Sequence, residues 1–138
     1  MQVVHVAVGV ILDAGKNILL TRRHDHLHQG GLWEFPGGKV EQGESLDAAL
    51  ARELHEELAI KPVKTSPLIE IHHDYPDKSV FLDVHVVWEY SGEARGVEGQ
   101  PMAWVSAAEL SDYDFPEANK PIVAAIVLEL TEVLLSSG

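Results

Sequence analysis

The segment from Ser45 to Ile60 constrains this chain more than any other. Leu46, Leu50, Leu54 and Leu58 recur every fourth residue, which predicts a helix with one apolar stripe pressed on a core. Ser45 stands where an N-cap is needed, and Pro62 bounds the segment downstream. Glu53, Glu56 and Glu57 fall at i, i+3 and i+4, on one face. At about 100° per residue, Glu57 projects between Leu46 and Leu50, and Glu53 lies at the edge of the same stripe. These carboxylates flank the buried side of the helix. A half-buried cluster of like charges is costly unless a cation neutralises it. All-oxygen donors select a hard ion, Mg²⁺ or Mn²⁺, and Mg²⁺ commonly shares its shell with phosphate oxygens. The helix alone therefore points to a phosphate-bearing ligand.

Strand-like runs surround this helix. Val3 to Leu12 and Asn17 to Thr21 flank the turn Asp13-Ala14-Gly15-Lys16 and are expected to form a hairpin. His24 to Leu32 reads as a polar surface loop, and Trp33-Glu34-Phe35 as a short strand broken by a sharp turn at Pro36-Gly37-Gly38. Ser66 to His73 and Ser79 to Tyr90 are two strands joined at Tyr75-Pro76-Asp77-Lys78, and Met102 to Val105 is a last strand. Ser106-Ala107-Ala108-Glu109 has the capping-box pattern of a brief helix. Pro121 to Leu135 is an amphipathic helix with apolar residues at 122, 123, 126, 127, 130 and 134. The fold class is α/β (α+β), a mixed β-sheet sandwiched between helices, in a single domain over residues 1–138.

Composition narrows the partners. Ten basic and twenty-two acidic residues give a net charge of −12, which argues against a nucleic-acid polymer as partner. The chain has no cysteine, hence no disulfide, thiolate metal site or thiol nucleophile. Apolar runs such as Ile122 to Leu128 fall far short of the about 20 residues a membrane span requires, and no secretory leader pattern is seen. A cytoplasmic monomer with no membrane partner is expected.

Gly38-Lys39-Val40-Glu41-Gln42-Gly43-Glu44, seven residues, and then Arg52-Glu53-Leu54-His55-Glu56-Glu57-Leu58-Ala59-Ile60 resemble the box of the Nudix hydrolases. The pattern spans residues 38–60 and departs once, at Ala59, where the family has a helix-ending glycine. The likeness runs from about Val6 to Ile126 and is nearest the MutT branch, which hydrolyses 8-oxo-dGTP. It is carried also by Ala7-Val8-Gly9-Val10-Ile11, Thr21-Arg22-Arg23, Glu34-Phe35-Pro36-Gly37-Gly38-Lys39, Glu98-Gly99-Gln100-Pro101 and Phe115-Pro116-Glu117-Ala118-Asn119.

The resemblance implies a Nudix fold and Mg²⁺-dependent hydrolysis of a nucleoside triphosphate. Glu57 and the carbonyl of Gly37 would hold the essential ion, with Glu53, Glu56 and Glu98 completing a multi-metal site. Glu53 or Glu98 would serve as general base. Glu44 and Arg52 are expected to brace loop and helix as an ion pair. Arg23 and His28 would contact the nucleotide, Glu34, Phe35 and Gly37 would line the pocket, and Asn119 would read the oxidised purine. Phe35 is equally a core residue and Asn119 equally a helix cap. Lys78 is a further nucleotide contact, whereas His24, His26 and His28 lack the donor set of a transition-metal clip. Two other readings are a Nudix hydrolase of another nucleoside or pterin triphosphate, and a non-catalytic 8-oxoguanine-binding module, against which the intact glutamates count.

Overall fold

The computed structural model describes residues 2–24 and 30–130. Gln2–Ile11 (β1) alternates strictly. Ala7 and Ile11 face one side of the sheet and Val8 and Val10 the other, so the strand is buried on both faces over its second half. It is the hub of a four-stranded mixed sheet. Gly37–Lys39 (β4) pairs with it antiparallel, Lys78–Ser91 (β6) pairs with it parallel, and Lys61–Asp74 (β5) lies antiparallel beyond β6. Ile18–Arg22 (β2), Trp33–Glu34 (β3) and Met102–Val105 (β7) make a second, antiparallel sheet in the order β3-β2-β7.

Two sequence expectations need correction. The turn at Asp13 forms, with Asp13 and Asn17 bonded across it, but β1 and β2 are not a hairpin. Their only ladder is an isolated Leu12–Ile18 bridge just past the end of β1, and they belong to different sheets, because both edges of β1 are taken by β4 and β6. The backbone after Pro36 does not simply turn away either, since Gly37 to Lys39 is itself the strand β4. The β5–β6 hairpin turns where expected, closed by bonds between Tyr75 and Lys78, and β5 starts earlier than its apolar run, at Lys61. Pro62 and Pro67 are tolerated because β5 is an edge strand whose register shifts beside each of them.

Leu46–Leu58 (α1) forms as its leucine period demands. Ser45 caps it by accepting from the Ala48 N–H at 3.1 Å, and Leu50, Leu54 and Leu58 are fully buried with Ala7, Ile11, Leu19 and Val87. Gly9 keeps the β1 surface flat where Leu50 and Leu54 rest. The helix ends at Ala59 in the left-handed conformation (φ 60°, ψ 31°) that glycine would adopt without cost. On the opposite side, Leu110, Ile122, Ile126 and Leu130 close a second core over Val8, Val10, Leu82, Val84 and Val86. The expected sandwich is thus present. The C-terminal segment begins with a 3-10 turn at Glu117–Asn119, continues as Lys120–Ala125 (α2), and widens into a π turn at Ile126–Leu130. Val127 is 50% exposed, so the buried stripe is narrower than the apolar pattern implies. The remainder of that expected helix, from 131, lies outside the described residues.

Candidate active site

The site grows from the contact between α1 and β4. Gly37 adopts φ +156° against β1, and a methyl group there would overlap the Ala7 carbonyl. Its N–H donates to the carboxyl of Glu57. Gly38 has the same logic one residue on, because a Cβ would overlap the Glu53 carboxyl. Two glycines are therefore the shelf on which the acidic face of α1 lies.

Arg52 organises the rest of that face. It donates to Glu44 through Nε at 2.8 Å and Nη2 at 3.0 Å, to Glu53 at 2.9 Å, to the Lys39 carbonyl at 2.9 Å, and more weakly to Glu56 at 3.5 Å. This is the expected brace between loop and helix, with a two-pronged grip on Glu44. The Arg52 bond and the Glu41 N–H hold the Glu44 carboxyl down to about 2. Glu53 and Glu56 are thus tied to Arg52, while Glu57 lines a cavity beside Thr21 and Arg22 of β2. Burial first, then the charges of Glu53 and Glu34, raise its pKa to about 8, and Glu98 adds to the effect. Among the described residues no three His, Asp or Glu side chains already converge closely enough to grip an ion.

Two adjoining cavities take up Arg23, Glu34, Glu57, Glu98 and Asn119 of the sequence-predicted residues, whereas Glu53, Glu56 and Gly37 line neither. A cavity of about 220 Å³ is lined by Thr21, Arg23, His24, Glu57, Glu98 and Gln100, together with Arg22 and Glu34. A larger one of about 510 Å³ has an apolar floor of Val4, Val6, Val80 and Leu82, with Asn119, Lys39 and Lys78 at its margin. Arg23 and Glu34 belong to both, paired at 3.4 Å, and so mark the junction. Burial raises the Glu34 pKa, and Arg23 opposes that rise. Asn119 precedes α2 but its side chain makes no capping bond, which leaves the amide for the cavity. Phe35 does not line either cavity. It is 4% exposed and stacked on Phe115 at 5.3 Å, so its place is the core beneath the site. His26 and His28 lie outside the described residues.

Sequence reasoning missed Gln100 as a working residue. Its Nε2 donates to the Glu57 carbonyl at 3.0 Å and its Oε1 accepts from the Glu98 N–H at 2.9 Å. The cue available was only its place two residues after Glu98.

Oxygen donors on crowded carboxylates, one of them raised to about 8 by burial and by its neighbours, suit a hard divalent cation, which would relieve both costs. The chain belongs to the Nudix family: residues 7–125 match the NUDIX domain model. Within it, the chain is 39% identical over 126 residues to the 8-oxo-dGTP diphosphatase of Escherichia coli K12, covering 91% of this chain and 98% of that one. It is also 34% identical to the CTP pyrophosphohydrolase of the same organism, over 92% and 93% of the two chains. A solved MutT chain, from work on the Aliivibrio salmonicida and Vibrio cholerae proteins, superposes with a TM-score of 0.80 at 40% identity, covering 91% and 98%. No helix among the described residues is long and apolar enough to cross a membrane.

Proposed function

We propose that the protein hydrolyses 8-oxo-dGTP with water to 8-oxo-dGMP and pyrophosphate, using Mg²⁺, for which Mn²⁺ can substitute. The observation that carries this reading is the pair of joined cavities. One is acidic and suited to metal and phosphates, the other apolar with an uncommitted Asn119 amide, and Arg23 stands between them. The similarity to 8-oxo-dGTP diphosphatases along nearly the whole chain supports the same conclusion.

Glu57, Glu53, Glu56 and Glu98, with the Gly37 carbonyl, are the residues that would hold the metal. When bound, it offsets the charge that develops on the phosphoryl oxygens and lowers the pKa of attacking water. Water adds at the β-phosphorus, the bond to the α-phosphate bridging oxygen breaks, and 8-oxo-dGMP leaves. Glu53 or Glu98 takes the water's proton. Arg23 presents a guanidinium to the phosphates from the cavity junction. The base lies over Val6, Val80 and Leu82, where the Asn119 amide offers one donor and one acceptor. The cellular role is to clear an oxidised guanine nucleotide from the pool before DNA replication incorporates it, as a monomer in the cytoplasm.

The test is hydrolysis of 8-oxo-dGTP, dGTP and CTP with Mg²⁺ and product analysis, for the wild type, Glu57→Gln and Asn119→Ala. Preference for 8-oxo-dGTP that is lost in Asn119→Ala, with activity abolished in Glu57→Gln, is the expected result. Equal rates on dGTP and 8-oxo-dGTP would overturn the sanitising role. A preference for CTP would favour the second reading, a pyrimidine nucleotide hydrolase, to which the 34% identity with a CTP pyrophosphohydrolase gives weight.

A further inference from the structure

The turn that carries Glu98 is built with little stiffness of its own. Gly96 and Gly99 flank it, Gly99 takes φ +78°, and a single backbone bond from the Gly99 N–H to the Gly96 carbonyl closes it. Its flanks are fixed: the Arg95 and Val97 N–H groups donate to the Leu58 and Glu57 carbonyls, and the Pro101 carbonyl accepts from Arg22. Glu98 is exposed between them and is repelled by Glu57. The Val97 bond anchors the turn just before Glu98, and Glu98 itself is left to be held by another group.

We propose that Gln100 is a positioning residue that clamps the Glu98 turn to the Glu57 turn of α1, so that the two carboxylates are presented to one phosphate-binding cavity. Both ends of its amide are committed. Nε2 adds a second hydrogen bond to the Glu57 carbonyl, one of the groups a helix C-terminus leaves without a partner inside the helix, and Oε1 holds the Glu98 N–H. Among the described residues it is the side chain bonded to the backbone of both glutamates. The packing is close, since a methyl on Gly96 would overlap the Gln100 carbonyl. The inference rests on the reading of Glu98 as a working carboxylate of a nucleotide hydrolase. It adds that the glutamine sets where that carboxylate stands without touching substrate.

Gln100→Leu removes both bonds and Gln100→Glu keeps the acceptor for the Glu98 N–H while losing the donor. In the metal-free protein, amide hydrogen exchange followed by NMR is expected to speed up about 10-fold or more at Glu98 in Gln100→Leu, and to change far less in Gln100→Glu. With Mg²⁺ and substrate, kcat is expected to fall about 10- to 100-fold in Gln100→Leu with KM within about threefold, the loss typical of supports behind metal ligands. In a Glu98→Gln background the same substitution should add no further loss, because Gln100 works through Glu98. Unchanged exchange at Glu98, or multiplicative losses in the double variant, would overturn the clamp. If Gln100→Leu does not fold, Gln100→Ser, too short to reach either partner, decides the matter in the same exchange experiment: faster exchange at Glu98 supports the clamp and unchanged exchange overturns it. A wild type that hydrolyses none of the nucleotides would overturn the functional reading only, since the exchange comparison needs no turnover.

Discussion

Glu57 is held where an ionised carboxyl is costly, so the site weakens the metal-free fold. Its pKa stands at about 8 against an ordinary 4.5, chiefly through burial and then through Glu53 and Glu34. The folded protein therefore binds a proton that the unfolded chain has already released. The stability associated with this proton is full below 4.5 and is lost as pH rises through about 8. At about 1.36 kcal/mol for each pKa unit, the loss across that window is on the order of 5 kcal/mol. Glu57→Gln has the same shape and cannot ionise. In EDTA, urea unfolding followed by tryptophan fluorescence is expected to show the variant more stable than the wild type, by a margin that grows about 4 kcal/mol from pH 5 to pH 9. The same variant should be inactive with Mg²⁺. A margin that stays flat with pH, or a variant less stable than the wild type at pH 9, would refute the assignment of Glu57 as a carboxyl destabilised by its surroundings.

Ala59→Gly should raise stability by about 1 kcal/mol in urea unfolding, because residue 59 already has a left-handed φ of 60°. Gly37→Ala and Gly38→Ala should separate stability from activity. The first drives a methyl into the Ala7 carbonyl and lowers the melting temperature sharply, while the second displaces the carboxyl end of the Glu53 side chain and lowers kcat with a smaller thermal effect. Glu44→Gln should abolish part of the acid sensitivity: a carboxyl held at about 2 contributes stability above 4.5 that is lost as pH falls toward 2, and acid titration of the unfolding midpoint reads this directly.

The parts of the molecule that were legible in the sequence are those specified by near neighbours. The leucine period and Ser45 place α1, the Tyr75–Lys78 turn places the β5–β6 hairpin, and Met102–Val105 forms as read. The Glu44–Arg52 brace was legible through the family pattern. What escaped is held by distant partners. Two glycines carry no side-chain pattern, so β4 is a strand only because β1 offers an open edge to it. The separation of β1 from β2 depends on β6, which the local sequence around Asp13 does not register. Phe35 has the same apolar character whether it lines a pocket or a core, and only Phe115 decides. Gln100 is a polar loop residue until its amide is seen between Glu57 and Glu98.

The parallel pairing of β1 with β6 also sets an order of events for the newborn chain. Each β1 residue bonds beside one 76 positions further along, as Gln2 does beside Lys78 and Ile11 beside Val87. Closing so long a loop is slow, and on a ribosome β1 has no β6 to join until well over half the chain has emerged. Until β6 joins, β1 and β4 are a lone antiparallel pair, marginal on its own, so the glycine shelf for Glu53 and Glu57 has no stable sheet beneath it. The acidic site is thus a late product of folding, and a truncated chain that stops short of β6 can carry the whole 38–60 motif yet be unable to assemble it.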